Sequence, residues 1–297
     1  MSAADVDLAV QTAIRSLGDR TREAEIAFFG GSFTAIEQSY MLSLLEAAYK
    51  YVKSGTFYGI RLSTRPDAVD REILGLLRDY GVTSVELGAQ SMDDDVLTLN
   101  RRGHTADDVI RASHLIREYG FSLGLQMMTS LYGSSDEKDI RTAEKIAQLA
   151  PDTVRIYPTV VMKNTRLDEL LSLGEYRPKN AEESVGLCAY LLRFFDDKGI
   201  DVIRLGLHDS PSLRESMTGG AFHPAFRELC ESRIMLENAL EIIKAGGLSG
   251  EVAFYVSPCS VSRFVGQKRS NINELAKLGI RAEVKTDAAL GKYDVRI

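Results

Sequence analysis

Short apolar segments alternate with longer segments of helical periodicity along the first two-thirds of the chain, and this alternation restricts the fold more than any other feature. Periodicity and glycine stops predict helices at 5–18, 36–53, 70–80, 105–119 and 136–149. Strands are predicted at 24–29, 58–62, 83–88, 121–128 and 153–157. Strands separated by helices of this length pair in parallel, because each crossover returns the chain to the same end of the sheet. The sequence therefore predicts an α/β fold, either a barrel or an open sheet.

After about residue 160 the alternation becomes less regular. The pattern there predicts helices at 180–198, 226–245 and 268–278, with strands at 201–206, 251–257, 281–286 and 292–297. Glycines and a serine in "AGGLSG", residues 245–250, indicate a boundary between helix and strand. The predicted organisation is a barrel over residues 1–206, a helical extension over 207–248 and a small C-terminal α+β unit over 249–297.

The composition is that of a soluble globular protein, with 44% hydrophobic and 26% charged residues. No window approaches the roughly 18 to 20 unbroken apolar residues of a membrane helix. The first residues lack the basic and then apolar plan of a secretion signal. We therefore expect no membrane partner and a cytoplasmic location. The net charge of −6 gives no overall basic surface for nonspecific binding to nucleic acid, although it allows a local basic patch.

Cysteine and histidine usage does not indicate a metal site. The chain has 3 cysteines and 4 histidines, all scattered along the sequence. Cys188, Cys230 and Cys259 match neither a disulfide framework nor a familiar spacing of metal ligands. We expect each of them to be a small buried hydrophobic residue.

Polar or glycine-bearing residues follow each of the first five predicted strands. In either predicted fold, ligands bind where the loops after the strands converge. The sequence therefore predicts a binding site built from these strand ends, which lie at residues 30–32, 63–67, 88–91, 126–128 and 157–158.

Individual residues at the strand ends each allow a functional and a structural interpretation. Gly30 and Gly31 either expose backbone to a ligand or form a tight turn that binds nothing. Gln90 favours a binding role, because a buried amide must find partners for both of its ends. Arg101 or Arg102 can hold a carboxylate through two parallel hydrogen bonds, or both can form a solvated charge pair.

Four further residues near the strand ends have mainly structural interpretations. Asp67 either belongs to the site or caps the helix at 70–80. Asp93 is predicted to cap a helix start, where the macrodipole favours negative charge. His104 is expected in a loop or helix entry rather than as a metal ligand, and Met127 is expected in the core or the pocket lining.

Taken together, the chain resembles the radical S-adenosylmethionine enzymes, in the branch of the Elongator catalytic subunit and the oxygen-independent coproporphyrinogen oxidases. The segments that carry the resemblance span residues 24 to about 165 in the family's order: "AFFGGSFT", "RLSTRPD", "VELGAQSMDDDVLTLNRRGHT", "GLQMM" and "RIYPTVV". The resemblance implies a partial (β/α)6 barrel whose C-terminal mouth holds S-adenosylmethionine and a [4Fe-4S] cluster. Here that barrel is expected without its first strand.

The resemblance implies roles in binding S-adenosylmethionine for seven residues. The glycine motif corresponds to the one beside the amino group of the methionine moiety, and Arg102 to the partner of the methionine carboxylate. Ser63 and Gln90 correspond to positions near the ribose. Relatives often have an acid at the position of Ser63, and some have an aspartate at that of Gln126. The implied set is Gly30, Gly31, Ser32, Ser63, Gln90, Arg102 and Gln126.

Two family motifs are absent from the chain. Residues 129–133 read Thr-Ser-Leu-Tyr-Gly where relatives commonly have Gly-Leu-Pro-Gly. The Cys-x3-Cys-x2-Cys triplet that ligates the family's cluster is also missing, and a cluster of this kind requires thiolates. Because the helix at 5–18 matches the first helix of the barrel, we expect the first strand and the cysteine loop to belong before Met1. The chain as written is therefore expected to be inactive.

The resemblance leaves alternative functions open. The first is a radical enzyme that cleaves S-adenosylmethionine reductively, with an electron donor as partner, and abstracts hydrogen from a substrate with the 5′-deoxyadenosyl radical. The second is a non-catalytic barrel that binds S-adenosylmethionine or RNA and has lost the cluster. A metal-free α/β-barrel enzyme is disfavoured, because the sequence has no evident acid–base pair or nucleophile constellation.

The tail resembles half of a KH-type RNA-binding unit, in which a loop clamps nucleic-acid backbone. Residues 261–281 carry five cations against the single acid Glu274. A KH loop would need a second glycine near Arg269 or Ser270, and none is present. Contact with tRNA through residues 261–285 is one interpretation, and a solvated basic face is the other.

Overall fold

The structure of the protein is a computed structural model that describes residues 1–30 and 32–297. It contains two compact units. The first consists of Met1–Ile156 with Gly199–Arg204, and the second of Tyr157–Lys198 with Leu205–Ile297.

The predicted strands lie close to their expected positions along the chain, and two short strands are additional. In chain order the strands are β1 (Glu25–Phe28), β2 (Gly59–Thr64), β3 (Val82–Gln90), β4 (Ser122–Thr129), β5 (Thr153–Pro158), β6 (Val160–Met162), β7 (Asp201–Leu205), β8 (Met217–Gly220), β9 (Gly250–Val256), β10 (Ile280–Thr286) and β11 (Val295–Arg296). The additional short strands are β6 and β8.

The helices alternate with the strands through the first unit and then dominate part of the second. They are α1 (Ala3–Leu17), α2 (Gln38–Lys53), α3 (Arg71–Asp79), α4 (Asp94–Leu99), α5 (Ala106–Glu118), α6 (Asp136–Gln148), α7 (Arg166–Ser172), α8 (Ala181–Asp197), α9 (Pro211–Ser216), α10 (Phe226–Gly246), α11 (Val261–Val265) and α12 (Ser270–Lys277).

The strands of the first unit form a six-stranded sheet in the order β1-β2-β3-β4-β5-β7. Strands β1 to β4 pair in parallel, and the whole sheet is a parallel, curled half-barrel. The prediction of an α/β fold is confirmed, and of the two predicted arrangements the barrel is the one observed.

The two faces of this sheet differ in chemistry. Ile60, Leu62, Val85 and Leu87, on β2 and β3, are completely buried. Helices α2, α3 and α5 pack against these two strands, and α6 packs against the neighbouring β4. The intervening positions carry polar side chains such as Glu86, which is 1% exposed. Because side chains alternate between faces along a strand, the helices cover the apolar face and the polar groups share the other.

The second unit contains helical and sheet parts. Helix α10 packs against α8, and β6 pairs antiparallel with β8. A three-stranded sheet in the order β10-β9-β11 combines a parallel and an antiparallel pair. Its core includes Phe254, Phe264 and Leu275, each at most 1% exposed. This C-terminal part has the expected α+β character.

Short elements of the second unit were not predicted. Strand β8 contains two glycines, which weaken any sequence signal for a strand. The closing strand predicted at 292–297 is only Val295–Arg296. None of the helices formed by residues 1–30 and 32–297 has the length and apolar character that a membrane crossing requires.

Candidate functional site

The loop after β1 is tied to the end of β2 by threonine hydroxyls. The backbone N–H of Thr34 donates to Oγ1 of Thr64 over 3.2 Å, and the two hydroxyl oxygens are 2.6 Å apart. Gly30 and Ser32 lie in this loop, and Gly31 lies outside the described residues. A Cβ added at Gly30 would meet nothing within 4 Å. Open space therefore adjoins the backbone at the first predicted strand end.

Two predicted site residues on different strands contact each other. Nε2 of Gln126, on β4, donates to Oγ of Ser63, on β2, over 3.1 Å, and it also lies 3.1 Å from Oε2 of Glu86 on β3. Ser63 is 2% exposed. These contacts hold the amide of Gln126 in one orientation, because the carboxylate can only accept a hydrogen bond.

Glu86 is the centre of an ionic network that the sequence did not reveal. Its carboxylate accepts hydrogen bonds from Arg61 at 3.1 Å and from Arg155 at 2.7 and 3.0 Å. Arg61 also pairs with Glu25 at 2.7 Å. The Arg155 guanidinium lies 4.7 Å from the centre of the Phe29 ring. Acidic and basic groups thus alternate across the polar face of the sheet.

A glycine on β4 makes this network sterically feasible. Gly124 pairs with Glu86 in the sheet register, and β4 lies between the strands of Glu86 and Arg155. A Cβ at Gly124 would lie 2.6 Å from Cγ of Glu86. The Glu86 side chain therefore passes over β4 through the space that a Cβ at position 124 would occupy.

The carboxylate of Glu25 has a pKa below its usual range. Burial acts to raise this pKa, but hydrogen bonds from Ser84 and Thr83 and the charge of Arg61 together outweigh it. The two hydroxyls donate to Oε1 of Glu25 over 2.6 Å each. Glu25, on β1, therefore carries a negative charge at neutral pH.

Gln90 occupies a strained position at the end of β3. Its φ is 64°, in the left-handed region that few residues other than glycine adopt. Its side chain is folded back, with Nε2 at 2.7 Å from the place of a Cβ on Gly88. Gln90 is 8% exposed. Such strain persists only where surrounding structure holds it, and it is concentrated at functional sites.

The two arginines that the sequence left as alternatives differ in environment. Arg101 is exposed, whereas Arg102 is partly buried. The Nε atom of Arg102 is buried without a hydrogen-bond partner among the described residues. Burial lowers the pKa of Arg102, and the charge of Arg65 lowers it further. Arg102 is therefore a desolvated cation beside a second cation, an arrangement that an incoming anion would stabilise.

The loop that carries Arg102 is anchored to the end of β3. Nε2 of His104 lies 3.1 Å from the carbonyl oxygen of Ala89, and His104 is 7% exposed. A Cβ on Gly103 would lie 3.0 Å from Nη2 of Arg65. His104 directly precedes the N-cap of α5, Thr105. It lies at a helix entry, as predicted.

Asp67 and Asp93 are both candidate helix caps from the sequence, and the structure gives a different result for each. Asp93 caps α4 by accepting a hydrogen bond from the N–H of Val96, as predicted. Asp67 does not cap α3, because Asp70 holds that position. Asp67 instead forms a bidentate pair with Arg65 at 2.9 and 2.6 Å. This pair neutralises Arg65 in part and leaves Arg102 as the less compensated cation.

The described residues contain no cluster of three or more histidine, cysteine, aspartate or glutamate side chains that suits a metal ion. Cys188 and Cys230 are buried, whereas Cys259 is exposed. All three belong to the second unit. The prediction that every cysteine is buried is wrong for Cys259, which lies in the turn after β9.

Comparison with known proteins identifies two matching family models. The model of the radical SAM superfamily matches residues 7–146, and that of the radical SAM C-terminal domain matches residues 151–235. Among curated proteins, the tRNA uridine(34) acetyltransferase of Dehalococcoides mccartyi is 31% identical over 196 residues, which are 59% of this chain and 43% of that protein. Human Elongator complex protein 3 is 30% identical over 199 residues, which are 60% of this chain and 36% of that protein.

Among solved structures, the archaeal Methanocaldococcus infernus Elp3 with an N-terminal deletion superposes with a TM-score of 0.63 and 25% identity. The match covers 82% of this chain and 60% of the Elp3 chain. The chain spans less than half the length of the two curated relatives named above, 43% and 36% respectively. With both radical SAM domain models matched in order, this chain belongs to the radical SAM superfamily, and it is similar to the Elp3 proteins of that superfamily.

Proposed function

We propose that the strand ends of the first unit bind S-adenosylmethionine, and that the chain is a cytoplasmic radical SAM protein with tRNA as its substrate. The single observation that carries this proposal is the half-buried Arg102, whose Nε has no partner among the described residues. A methionine carboxylate beside this guanidinium would supply the missing acceptor and neutralise the buried charge.

The other predicted residues suit the remaining parts of the same ligand. The open space beside Gly30 allows backbone to approach the amino group, and Ser32 lies in the same loop. The amide of Gln90 and the linked pair of Ser63 and Gln126 offer donors and acceptors for ribose hydroxyls. Gly31, in the same motif, is assigned with them from the sequence.

In this family, bound S-adenosylmethionine supplies a 5′-deoxyadenosyl radical when a [4Fe-4S] cluster delivers an electron from a donor protein. The described residues contain no thiolate set that fits such a cluster. The chemistry derived for this chain's own residues is therefore limited to binding and orienting the ligand. Arg102 would fix one end of it and Gln90 the other.

The tRNA part of the proposal is supported by the relatives. Proteins named tRNA uridine(34) acetyltransferase match about three-fifths of the chain, at 59–60%. Because this chain spans less than half of their length, neither the modified nucleoside nor the reaction is transferred to it.

The test is equilibrium binding of S-adenosylmethionine, measured by isothermal titration calorimetry. Replacing Arg102 by Gln removes a charged hydrogen bond worth roughly 1.5–3 kcal/mol, so Kd should rise about ten- to hundredfold. Arg101→Gln is the matched control, because the neighbouring arginine is exposed, and it should leave Kd unchanged.

A second ligand measures the contribution of the methionine carboxylate to binding. 5′-Methylthioadenosine retains the nucleoside but lacks the amino-acid end, so its affinity should be the same for the Arg102→Gln variant and the unaltered protein. Equal loss of both ligands, or no loss of S-adenosylmethionine, would contradict the assignment of Arg102.

A second candidate function is a non-catalytic barrel that binds S-adenosylmethionine or RNA without cleaving the cofactor. It is favoured by the state of the cysteines, because two of the three are buried and the described residues contain no cluster that suits a metal ion. Anaerobic reconstitution with iron and sulfide, followed by dithionite, separates the candidates. 5′-Deoxyadenosine formed by this chain would exclude the non-catalytic function, and its absence from protein that binds S-adenosylmethionine would support that function.

A further inference from the structure

A cavity of about 560 Å³ lies within the second unit, between α10 and the segment from Pro258 to Gln267. Its volume falls within the roughly 300–1,000 Å³ of small-molecule sites. Leu229, Val261 and Val265 form apolar parts of the wall. The polar parts come from Glu228, Ser232, Ser262, Arg263 and Gln267.

The charged groups of the cavity wall do not favour an anion inside it. Arg263 pairs with the buried carboxylate of Glu231, its Nε lying 2.5 Å from Oε2. Glu228 adds a negative charge to the wall. A flat, neutral group with polar edges suits this cavity better than a phosphate does.

The two residues that directly follow Gln267 place positive charge beside the cavity rather than inside it. Lys268 and Arg269 are exposed, and their side chains form no hydrogen bond or ion pair with any described residue. Other cations of the tail are paired, Lys277 with Glu274 and Arg281 with Glu251. The basic character predicted for the tail is therefore concentrated in one turn beside the cavity.

This turn has a fixed and strained backbone. Lys268 and Arg269 have φ values of 51° and 63°, and a Cβ on Gly266 would lie 2.4 Å from Oγ of Ser270. The buried Asn271 donates from Nδ2 to the carbonyl oxygens of Ser232 and Phe264 over 2.9 and 3.0 Å. The left-handed backbone of Lys268 and Arg269 costs free energy, and the surrounding contacts hold it in place. These contacts therefore fix two cations, neither of them ion-paired with a described residue, at one position on the surface.

We infer that this turn and cavity bind a single-stranded segment of RNA, with phosphates on Lys268 and Arg269 and one unstacked base in the cavity. The inference rests on the proposed tRNA substrate and assigns where a nucleotide is held. Phosphates attract exposed cations in a salt-dependent way, whereas a base in a loop can leave its stack and present its polar edges. A paired base cannot enter the cavity, so the site should select single strands.

The first experiment measures the charge contribution by fluorescence anisotropy of a short labelled single-stranded RNA at several salt concentrations. Lys268→Gln with Arg269→Gln should weaken binding by roughly tenfold or more and reduce the salt slope by about 1.4, since each phosphate contact on a single strand contributes about 0.7. Lys277→Gln with Arg281→Gln is the matched control, because it removes the same charge from paired residues. Equal effects of the two double variants would overturn the inference.

The second experiment tests the cavity. Ser262, an exposed wall residue, is replaced by Trp to fill the space. This change should weaken binding of the single strand but not of an abasic RNA with the same number of phosphates. An RNA duplex should bind the unaltered protein more weakly than the single strand. Equal binding of duplex and single strand, or of poly-glutamate and RNA, would refute recognition of an unpaired base.

Calorimetry with S-adenosylmethionine on the same variants separates this inference from the proposed binding of the cofactor. The Lys268 and Arg269 double variant should bind S-adenosylmethionine normally, and Arg102→Gln should bind the RNA normally. Absence of RNA binding by the unaltered chain would overturn both the inference and the tRNA part of the proposed function, whereas unchanged RNA binding by the Lys268 and Arg269 double variant would overturn the inference alone.

Discussion

The ionic network on the polar face of the sheet makes Glu86 the residue whose charge should matter most for the stability of the first unit. Its side chain is 1% exposed and accepts hydrogen bonds from Arg61 and Arg155. Removing one partner of a buried pair costs about 3–5 kcal/mol, because the remaining charge stays desolvated. Arg61 keeps its pairing with Glu25, so we expect Glu86→Gln to cost about 3 kcal/mol, the lower end of that range.

Urea unfolding, followed by a fluorescent reporter placed in the first unit, can measure this loss. The chain contains no tryptophan, so Tyr80→Trp, at the end of α3, introduces one reporter. Tyr80 already packs edge-on against Tyr49 at 5.8 Å. With an m-value of about 2–3 kcal/mol per molar urea, a loss of 3 kcal/mol lowers the midpoint by roughly 1 M.

An exposed ion pair provides the control. Glu118 pairs with Arg71 at 2.6 Å, and both side chains are more than half exposed. Glu118→Gln should cost no more than about 1 kcal/mol. If the midpoints for Glu86→Gln and Glu118→Gln coincide in the same Tyr80→Trp background, the network does not stabilise the sheet in the way argued.

Two further predictions concern titratable groups. The pKa of Glu25 is held below its ordinary value of 4.5, so its contribution to stability is present above that value and is lost as pH falls through the lower folded pKa. Thermal unfolding at several acidic pH values should show a steeper loss for the unaltered protein than for Glu25→Gln, and parallel curves would contradict this. Hydrogen bonds from neighbouring serine hydroxyls lower the pKa of the exposed Cys259 thiol, so iodoacetamide should label Cys259 before the buried Cys188 and Cys230. Mass spectrometry identifies the labelled residue. Labelling of Cys188 or Cys230 before Cys259 would contradict the exposure of Cys259 and the burial of the other two.

Most strands and helices of the first unit could be predicted because their signals are local. Strand β3 contains the buried apolar residues Val85 and Leu87, and α3 and α5 are followed by glycines at positions 81 and 120 with φ of 69° and 82°. These residues adopt left-handed backbone readily, so they mark helix ends in the sequence as well.

The ionic network could not be predicted, because its signals are not local. Glu86 lies between the buried apolar residues Val85 and Leu87, and its partners are 25 and 69 residues away along the chain. Arg101 and Arg102 are equivalent in sequence, and only the course of the backbone after α4 leaves Arg101 exposed and Arg102 partly buried. Such pairings depend on the register of several strands, which residue patterns do not specify.

Gly124 has a consequence for how accurately the sheet assembles. A shift of β4 by one residue would bring Leu123 or Leu125 to the position under the Glu86 side chain, where even a Cβ has no room. The same shift would turn the apolar side chains of β4 away from the helices. Neighbouring alignments are thus penalised both by steric overlap and by loss of apolar burial, so Gly124 helps to restrict the central strands to one register.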